Sequence, residues 1–158
     1  MATAQKVTTH LWFEDDAEAA VKFYTSLIPD SKIHAVMHFD RAKNLYGILF
    51  TLGGQEYRAL NGGPTFKLSE AVSLWVRCED QQEIDRIWDA ILGNGGKEQA
   101  CGWVKDKWGL SWQVVPAALE EMLNDPDEAK RNRVLQAVWG MIKLDLSTIE
   151  AAYRGAAA

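Results

Sequence analysis

The spacing of hydrophobic positions along this chain changes several times, and each change predicts a different element. Apolar runs at 7–13, 45–52 and 56–60 and an alternation at 32–39 predict four strands, because strand side chains alternate between two faces. Between the first two strands, apolar residues recur at the spacing of a helix with one buried face, at Ala20, Val21, Tyr24, Leu27 and Ile28. Residues 7–62 therefore predict one β-α-β-β-β module.

The same order of elements begins again after a loop at 61–64. Leu11-Trp12 aligns with Leu74-Trp75 at an offset of 74 − 11 = 63, and a helical pattern follows each pair. The second module is predicted over 70–116, with a strand, a helix and two further strands at 71–78, 82–92, 99–104 and 110–115. A β-α-β-β-β module has four strands, and the third strand of this module is poorly marked in the sequence and is expected to be short. Two copies of one module predict a cleft between them in which a ligand would lie.

The pattern becomes helical after Pro116, and this tail of residues 117–155 lies outside the repeat. We predict a helix at 117–123, one that starts at Asp125-Pro126, and a short last one with Ser147 and Glu150 as a capping box. In the first module, Asp15 or Asp16 is expected to cap the helix. The tail carries an apolar stripe at Val134, Leu135, Val138, Met141 and Ile142. This stripe is buried either against its own domain or against a second subunit.

Composition narrows the classes of protein that fit. The chain has 158 residues, 47% of them hydrophobic and 25% charged, which fits a single globular domain over 1–158. A net charge of −5 and the lack of a basic stripe argue against a nucleic-acid partner. The two cysteines make no disulfide framework, and neither a membrane-spanning run nor a signal peptide is evident. We therefore expect a cytoplasmic protein without membrane association.

Several sequence blocks, in order along the chain, resemble one protein family. They are Leu11-Trp12-Phe13, the segment 17–24, Ile28-Pro29-Asp30-Ser31, the segment 59–64, and the segments 101–106 and 109–116. Together they resemble the PhnB-like branch of the glyoxalase/bleomycin-resistance/dioxygenase (vicinal oxygen chelate) superfamily. The resemblance implies an α+β fold of two tandem β-α-β-β-β modules with a C-terminal helical extension. It also implies a homodimer, to which the apolar stripe of the tail could contribute.

This branch often carries the label "3-demethylubiquinone-9 3-methyltransferase domain", and the residues argue against that activity. A methyltransferase that uses S-adenosylmethionine would normally have a glycine-rich strand-to-helix turn inside a Rossmann-like unit. The chain contains no G-x-G-x-x-G pattern, because its glycine pairs fall at predicted hairpins and helix ends. It is also too short to hold such a domain beside the repeat. We predict that the protein is not a methyltransferase.

The resemblance also implies where a metal would bind, because metal-using members of the superfamily hold it with four ligands from the first and last strands of each module. Carried onto this chain, the positions are His10 or Thr9, Ser73, Gln113, and either Arg58 or Glu56. This set has few anionic or imidazole donors and is a poor divalent-cation site. No cofactor is favoured; if a divalent metal binds, His10, Glu56 and Gln113 are the expected ligands.

Three further residues could carry chemistry or could be structural. Cys101 has Lys97, Lys105 and Lys107 near in sequence, and cations can activate a thiol, although a buried inert cysteine fits as well. Glu56 is either a cleft carboxylate or a surface hairpin residue. Asn61 belongs to a glycine-rich loop that either contacts a ligand or links the modules. Cys78 is expected to be structural, and Asp106 to shape the turn that ends in Gly109.

From these observations we predict a metal-independent small-molecule-binding protein with an aromatic-lined cleft. The alternative is a metal-dependent lyase, isomerase or dioxygenase that acts on a small oxygenated metabolite, with Glu56 or His10 as general base. The catalytic candidates for that alternative are His10, Glu56 and Cys101. The residues predicted to line the cleft are His10, Trp12, Glu56, Arg58, Asn61, Ser73, Trp75, Trp103 and Gln113.

Overall fold

Four strands and one helix build the first half of the chain. The computed structural model describes residues 4–156 and divides them into two units, the first ending at Leu68 and the second beginning at Ser69. The elements of the first unit are β1 (Thr9–Phe13), α1 (Ala17–Leu27), β2 (Lys32–Asp40), β3 (Leu45–Leu52) and β4 (Gln55–Asn61). The strand order is β1-β4-β3-β2, in which only β1 and β4 are parallel to each other.

Helix α1 covers one face of this first sheet. Leu11 and Phe13 of β1 and Ile48 and Phe50 of β3 are buried on that face, as is Tyr24 of α1. Because strand side chains alternate, the residues between them point to the opposite side. We call that opposite side the first open face.

The second unit repeats the same plan. Its elements are β5 (Ser73–Cys78), α2 (Gln81–Gly93), β6 (Lys97–Glu98), β7 (Trp103–Lys105) and β8 (Ser111–Pro116). The strand order β5-β8-β7-β6 matches that of the first unit. The first and last strands along the chain, β5 and β8, are again parallel to each other, and the other pairs are antiparallel. The prediction of two tandem β-α-β-β-β modules is confirmed. We call the side of this sheet that faces away from α2 the second open face.

One predicted strand of the second module is wrong in its bounds. The sequence pattern predicts a strand at 99–104, but residues 99–102 form a turn between two short strands. Cys101 and Gly102 have φ angles of 61° and 81°, which reverse the chain direction at this point. The carbonyl of Trp103 then accepts a hydrogen bond from the Gln99 N–H at 2.9 Å. The third strand of this unit is β7, which has three residues and meets the expectation of a short strand.

The helical extension packs against the second unit of its own chain. It consists of α3 (Ala118–Leu123), α4 (Glu128–Trp139) and α5 (Leu146–Arg154). A hydrophobic cluster joins these helices to β8, and its buried members are Val115, Leu119, Met122, Val134, Val138, Leu144 and Ile149. The extension is therefore confirmed, and Val134 and Val138 of its apolar stripe are buried within the chain. None of the helices in residues 4–156 combines the length and apolar character of a bilayer span.

Both helix starts predicted in the tail are wrong by about two residues. The N-cap of α4 is Asp127, whose carboxylate accepts the N–H groups of Ala129 and Lys130. The carboxylate of Asp125 instead binds the Tyr153 hydroxyl. The N-cap of α5 is Asp145, not Ser147.

The predicted stripe also extended too far, because α4 ends at Trp139 and Gly140 follows it. Met141 and Ile142 lie outside the helix, and their carbonyls accept hydrogen bonds from the N–H groups of Cys101 and Gly102, both at 2.8 Å. Ile142 is half exposed rather than part of the core.

Candidate functional site

The first open face collects several of the residues predicted from the sequence. In the parallel pairing of β1 with β4, His10 lies opposite Arg58 and Trp12 lies opposite Leu60. Directly opposed residues on neighbouring strands are about 4.8 Å apart and share a face. His10, Trp12 and Arg58 are therefore neighbours on one surface, as predicted for a site.

A small hollow lies on this face. Its volume is about 60 Å³, and the residues that line it include His10, Met37, Phe39, Gly47, Arg58 and Leu60. One water molecule takes about 30 Å³ of liquid, so the hollow can hold one small group of a ligand rather than a whole drug-sized molecule. Apolar side chains form its floor and one side, and His10 and Arg58 supply polar groups.

The rim of the hollow depends on a glycine inside a strand. Phe39 is 60% exposed, and its ring lies over Gly47 of β3. A Cβ atom at position 47 would be 3.1 Å from Phe39 Cε2, tighter than almost all real Cβ contacts. The pairing of β2 with β3 shifts register between His38 and Asp40, so Phe39 falls at an irregularity of the strand. Gly47 thus leaves the space that the ring occupies.

Trp12 is held in a fixed position next to this face. Its indole N–H donates to the Gly63 carbonyl at 2.9 Å, and Phe66 packs edge-on against it with ring centroids 5.0 Å apart. Gly62 lies directly under the indole, because a Cβ there would be 2.5 Å from Trp12 Cζ2. Trp12 is therefore a rigid wall at this end of the sheet.

His10 and Arg58 have no partner for their side chains among residues 4–156 in any ion pair, hydrogen bond or ring contact. Both side chains are exposed. Glu56 lies on the same face two residues along β4 and is half-buried, yet it forms no ion pair with Arg58. The sheet thus presents two unpaired nitrogen-bearing side chains beside an apolar hollow.

Asn61 lies on the other side of the sheet from these residues. Its side chain is only 4% exposed, and its Oδ1 atom accepts the backbone N–H of Ala17 at 3.0 Å. Its Nδ2 group donates to the Asn44 carbonyl at 3.0 Å. Asn61 therefore ties the start of α1 to the sheet, and we do not carry it into the proposed binding face.

The second open face brings together four of the other predicted residues. Gln113 of β8 lies between Trp75 of β5 and Trp103 of β7 in the strand register. Its Nε2 group donates to Ser73 Oγ at 2.8 Å. Trp75 is 42% exposed, while Trp103 is half-buried. This face therefore has two indoles flanking an amide, with the Gln113 and Ser73 side chains already bonded to each other.

The helical extension covers part of the second open face. Val115, two residues beyond Gln113 on the same side of β8, is 2% exposed because it belongs to the hydrophobic cluster of the tail. Arg77 Nε donates to Glu120 of α3 at 2.8 Å, and this hydrogen bond lowers the pKa of the Glu120 carboxyl. The arginine on this face is therefore paired, unlike Arg58.

Neither cysteine is in a setting that favours catalysis. Burial raises the pKa of the Cys78 thiol to about 12, which agrees with a structural role. Cys101 is partly buried and packs against the hydrophobic cluster of the tail, with its Sγ 3.9 Å from the Trp139 carbonyl. Residues 69–156 contain no histidine, so the second unit itself offers Cys101 no imidazole base.

Asp106 shapes the turn between β7 and β8, as predicted. The carboxylate is buried and accepts three hydrogen bonds, from the backbone N–H groups of Trp108 and Leu110 and from Trp112 Nε1, at 2.9 to 3.0 Å. The Gly109 N–H also bonds to the Asp106 carbonyl at 3.1 Å.

The family now follows from sequence comparison. A family model described as 3-demethylubiquinone-9 3-methyltransferase matches residues 5–115, well over half of the chain. The chain belongs to this family. The chain has the glyoxalase/bleomycin-resistance fold expected for the PhnB-like branch. No curated protein is significantly similar to the chain in sequence.

Solved structures agree with this assignment. A PhnB protein from Bacillus cereus has 34% sequence identity and a TM-score of 0.64, over 72% of this chain and 100% of that one. FosX from Listeria monocytogenes, in a complex with Mn(II) and sulfate, has 13% identity and a TM-score of 0.59, over 77% and 99%. A glyoxylase/bleomycin resistance protein/dioxygenase domain from Frankia sp. has 16% identity and a TM-score of 0.50, over 70% and 95%. At these identities the last two show the fold alone.

The fold gives no support to the methyltransferase activity in the family description. The doubly wound fold on which such enzymes bind their cofactor has an open, mostly parallel sheet with helices on both faces. In residues 4–156 the two sheets have four strands each, and each contains a single parallel pair.

A divalent metal is the cofactor that the superfamily implies, and the residues do not fit it. The strand register makes Leu60, not Arg58 or Glu56, the counterpart of Gln113, because Trp12 lies opposite Leu60 as Trp75 lies opposite Gln113. A leucine cannot ligate a metal, so the first unit offers His10 without the expected second donor, and in the second unit Ser73 and Gln113 bond each other. Residues 4–156 contain no group of three His, Cys, Asp or Glu side chains suited to a metal.

The hollow includes residues that the cleft prediction missed, namely Met37, Phe39, Gly47 and Leu60. Alternation in the second predicted strand already put Met37 and Phe39 on one face. The strongest unused signal was Gly47, because a lone glycine inside a strand marks a bulge or a close approach of another group.

Proposed function

We propose that this protein binds a small organic molecule and that the first open face holds it. The observation that carries the proposal is the hollow of about 60 Å³ beside His10 and Arg58. Ligand sites combine apolar walls with a few polar groups that fix orientation, and this hollow has both. The ligand would insert one small apolar group against Met37 and Leu60 and leave the rest of its body on the sheet.

Membership of the superfamily supports the same class of function. FosX from Listeria monocytogenes is described as a fosfomycin resistance protein, and the Frankia domain carries a bleomycin resistance description. Both descriptions concern small molecules, although the identities are too low to transfer a ligand. We also propose a homodimer and a cytoplasmic location. The dimer rests mainly on the family, because Val134 and Val138 of the tail stripe are buried in their own chain. Light scattering on a sizing column would test it.

The binding proposal is tested by filling the hollow with a larger side chain. Leu60→Trp places an indole where the ligand group would lie, and Val36→Trp makes a comparable substitution at an exposed position of β2 on the opposite side of the same sheet. Saturation-transfer NMR would screen a defined panel of hexanoate, hexanamide, phenylacetate, phenylacetamide and benzyl alcohol against each protein. We expect at least one compound to bind the unchanged protein and the Val36→Trp variant, and to lose most of its signal with Leu60→Trp.

Two results would overturn the proposal. One is that no compound of the panel binds the unchanged protein. The other is that Leu60→Trp binds as well as Val36→Trp does, which would place binding elsewhere on the molecule.

The enzymatic alternative has less support from the residues. A metal-dependent lyase, isomerase or dioxygenase needs a metal to polarise its substrate, and the available donors around His10 do not fit one. Glu56 and His10 share a face, but Glu56 is absent from the hollow lining, and none of residues 4–156 completes an acid-base pair with His10.

A further inference from the structure

We infer that the first open face takes a small organic anion, with the anionic group held by Arg58 and one small apolar group seated in the hollow. This inference rests on the proposed function and specifies the class of its ligand. Two arginines lie on the open faces of the two sheets, and among the described residues only one of them is paired with a carboxylate.

On the second open face, Arg77 is paired with a carboxylate. Its Nε atom lies 2.8 Å from Glu120 Oε2, and Glu120 comes from α3 of the helical extension. On the first open face, Arg58 has no carboxylate partner among the described residues. The chain has 22 acidic against 17 basic side chains, so acids are plentiful, and yet none of those described meets Arg58.

The neighbours of Arg58 suit a ligand that is charged at one end only. His10 lies directly opposite Arg58 and offers an imidazole N–H as a second donor. The other side chains of the lining, Met37, Phe39 and Leu60, are apolar and cannot pair with a second charge. A guanidinium presents a planar fork of N–H donors, which matches the two oxygens of a carboxylate.

The test compares acids with their neutral amides on matched variants. Dissociation constants for hexanoate against hexanamide, and for phenylacetate against phenylacetamide, come from backbone amide shifts in NMR titrations. The variants are Arg58→Gln, Arg58→Lys and Arg41→Gln, of which Arg41 is an exposed arginine in the turn between β2 and β3. Each pair has one shape and differs in charge, so the ratio of the two constants isolates the anionic contact.

We expect the acids to bind the unchanged protein about fivefold to tenfold more tightly than the amides, as a charge-assisted hydrogen bond allows. Arg58→Gln should abolish this preference, Arg58→Lys should retain part of it, and Arg41→Gln should leave it unchanged. Raising the salt concentration should weaken the acids and not the amides.

The outcomes separate this inference from the function on which it rests. Equal binding of acids and amides would overturn the anionic ligand class and leave small-molecule binding intact. An acid preference that survives Arg58→Gln would overturn the role of Arg58. If neither the acids nor the amides bind, the proposed function fails and this inference fails with it.

Discussion

The two units share a strand order and differ in what covers their open faces. In the second unit the helical extension buries Val115 and supplies Glu120 to Arg77. Within the first unit, residues 4–68, no helix covers the corresponding face, and Arg58 keeps its side chain unpaired beside a hollow. The repeat therefore gives both sheets the same strand order, whereas the helical extension that follows the repeat covers part of the second open face. We propose that the ligand binds to the first open face.

The units also start their helices in different ways. In the second unit, Asp80 caps α2 by accepting the Glu83 N–H at 2.8 Å, and Glu83 accepts the N–H of Glu79 at 2.7 Å. In the first unit Asp16 has a φ of 64° and makes no side-chain cap, so Asn61 from β4 binds the helix start. The strand register makes Val114 the counterpart of Asn61. One topology thus tolerates both a local and a long-range cap.

The hairpins that precede the last strands differ in the same manner. The β3–β4 connection is Gly53-Gly54, whose φ angles of 57° and 80° are accessible to glycine at little cost. The β7–β8 connection is longer and is held by the buried carboxylate of Asp106. We therefore expect the two units to differ in how strongly their stability depends on single residues.

The largest effect on stability is expected from Asp106→Ala. The substitution leaves two backbone N–H groups and the indole N–H of Trp112 without their shared acceptor in a buried turn. Hydrogen bonds to a charged group contribute about 1.5–3 kcal/mol each and are not additive, so we expect a loss of about 3–5 kcal/mol. Urea unfolding would measure it. A loss below that of an ordinary surface substitution would show that the turn holds without its carboxylate.

A smaller but substantial effect is expected from Asn61→Ala. It removes the acceptor for Ala17 N–H and the donor for the Asn44 carbonyl, and each unsatisfied buried group costs about 1–3 kcal/mol. We therefore expect a decrease of about 2–4 kcal/mol in the free energy of unfolding. The matched change in the second unit, Asp80→Ala, removes a local cap and should cost about 1 kcal/mol. Equal losses in the two variants would contradict the difference between the caps.

Gly62→Ala should cost less again, about 1–3 kcal/mol, because its Cβ must displace the Trp12 indole. The Trp12 indole N–H resonance should shift as its hydrogen bond to Gly63 is lost. Gly93→Ala is the control, since nothing lies within 4 Å of an added Cβ there. An unshifted Trp12 signal in Gly62→Ala would mean that the indole is not packed as described.

The smallest effect is expected from added metal. Native mass spectrometry of protein purified without chelators, before and after incubation with zinc, nickel, manganese and iron(II), should show no stoichiometric metal adduct, because the donors around His10 do not form a divalent-cation site. A 1:1 adduct that His10→Ala abolishes would restore the metal-dependent alternative.

The repeat and the alternation of side chains predicted the modules and the shared face of His10 and Trp12, whereas Arg58 was a candidate through the family resemblance. These patterns did not predict the features that depend on contacts between residues distant in sequence. Asn61 acts on a residue 44 positions away, and no local pattern distinguishes its side chain from a ligand-contacting one. The hollow forms where Phe39 crosses Gly47 at a break in register, which a period of two does not encode. The late start of β7 follows from two positive φ angles, at Cys101 and Gly102.

The most direct test of the central claim is to locate binding with labelled methionine methyl groups. Met37 lies in the hollow of the first unit, whereas Met122 and Met141 lie in or against the hydrophobic cluster of the second. On titration with phenylacetate and hexanoate, the account predicts that the Met37 methyl resonance shifts and that the Met122 and Met141 resonances stay in place. A shift of Met122 or Met141 with Met37 unmoved would contradict it.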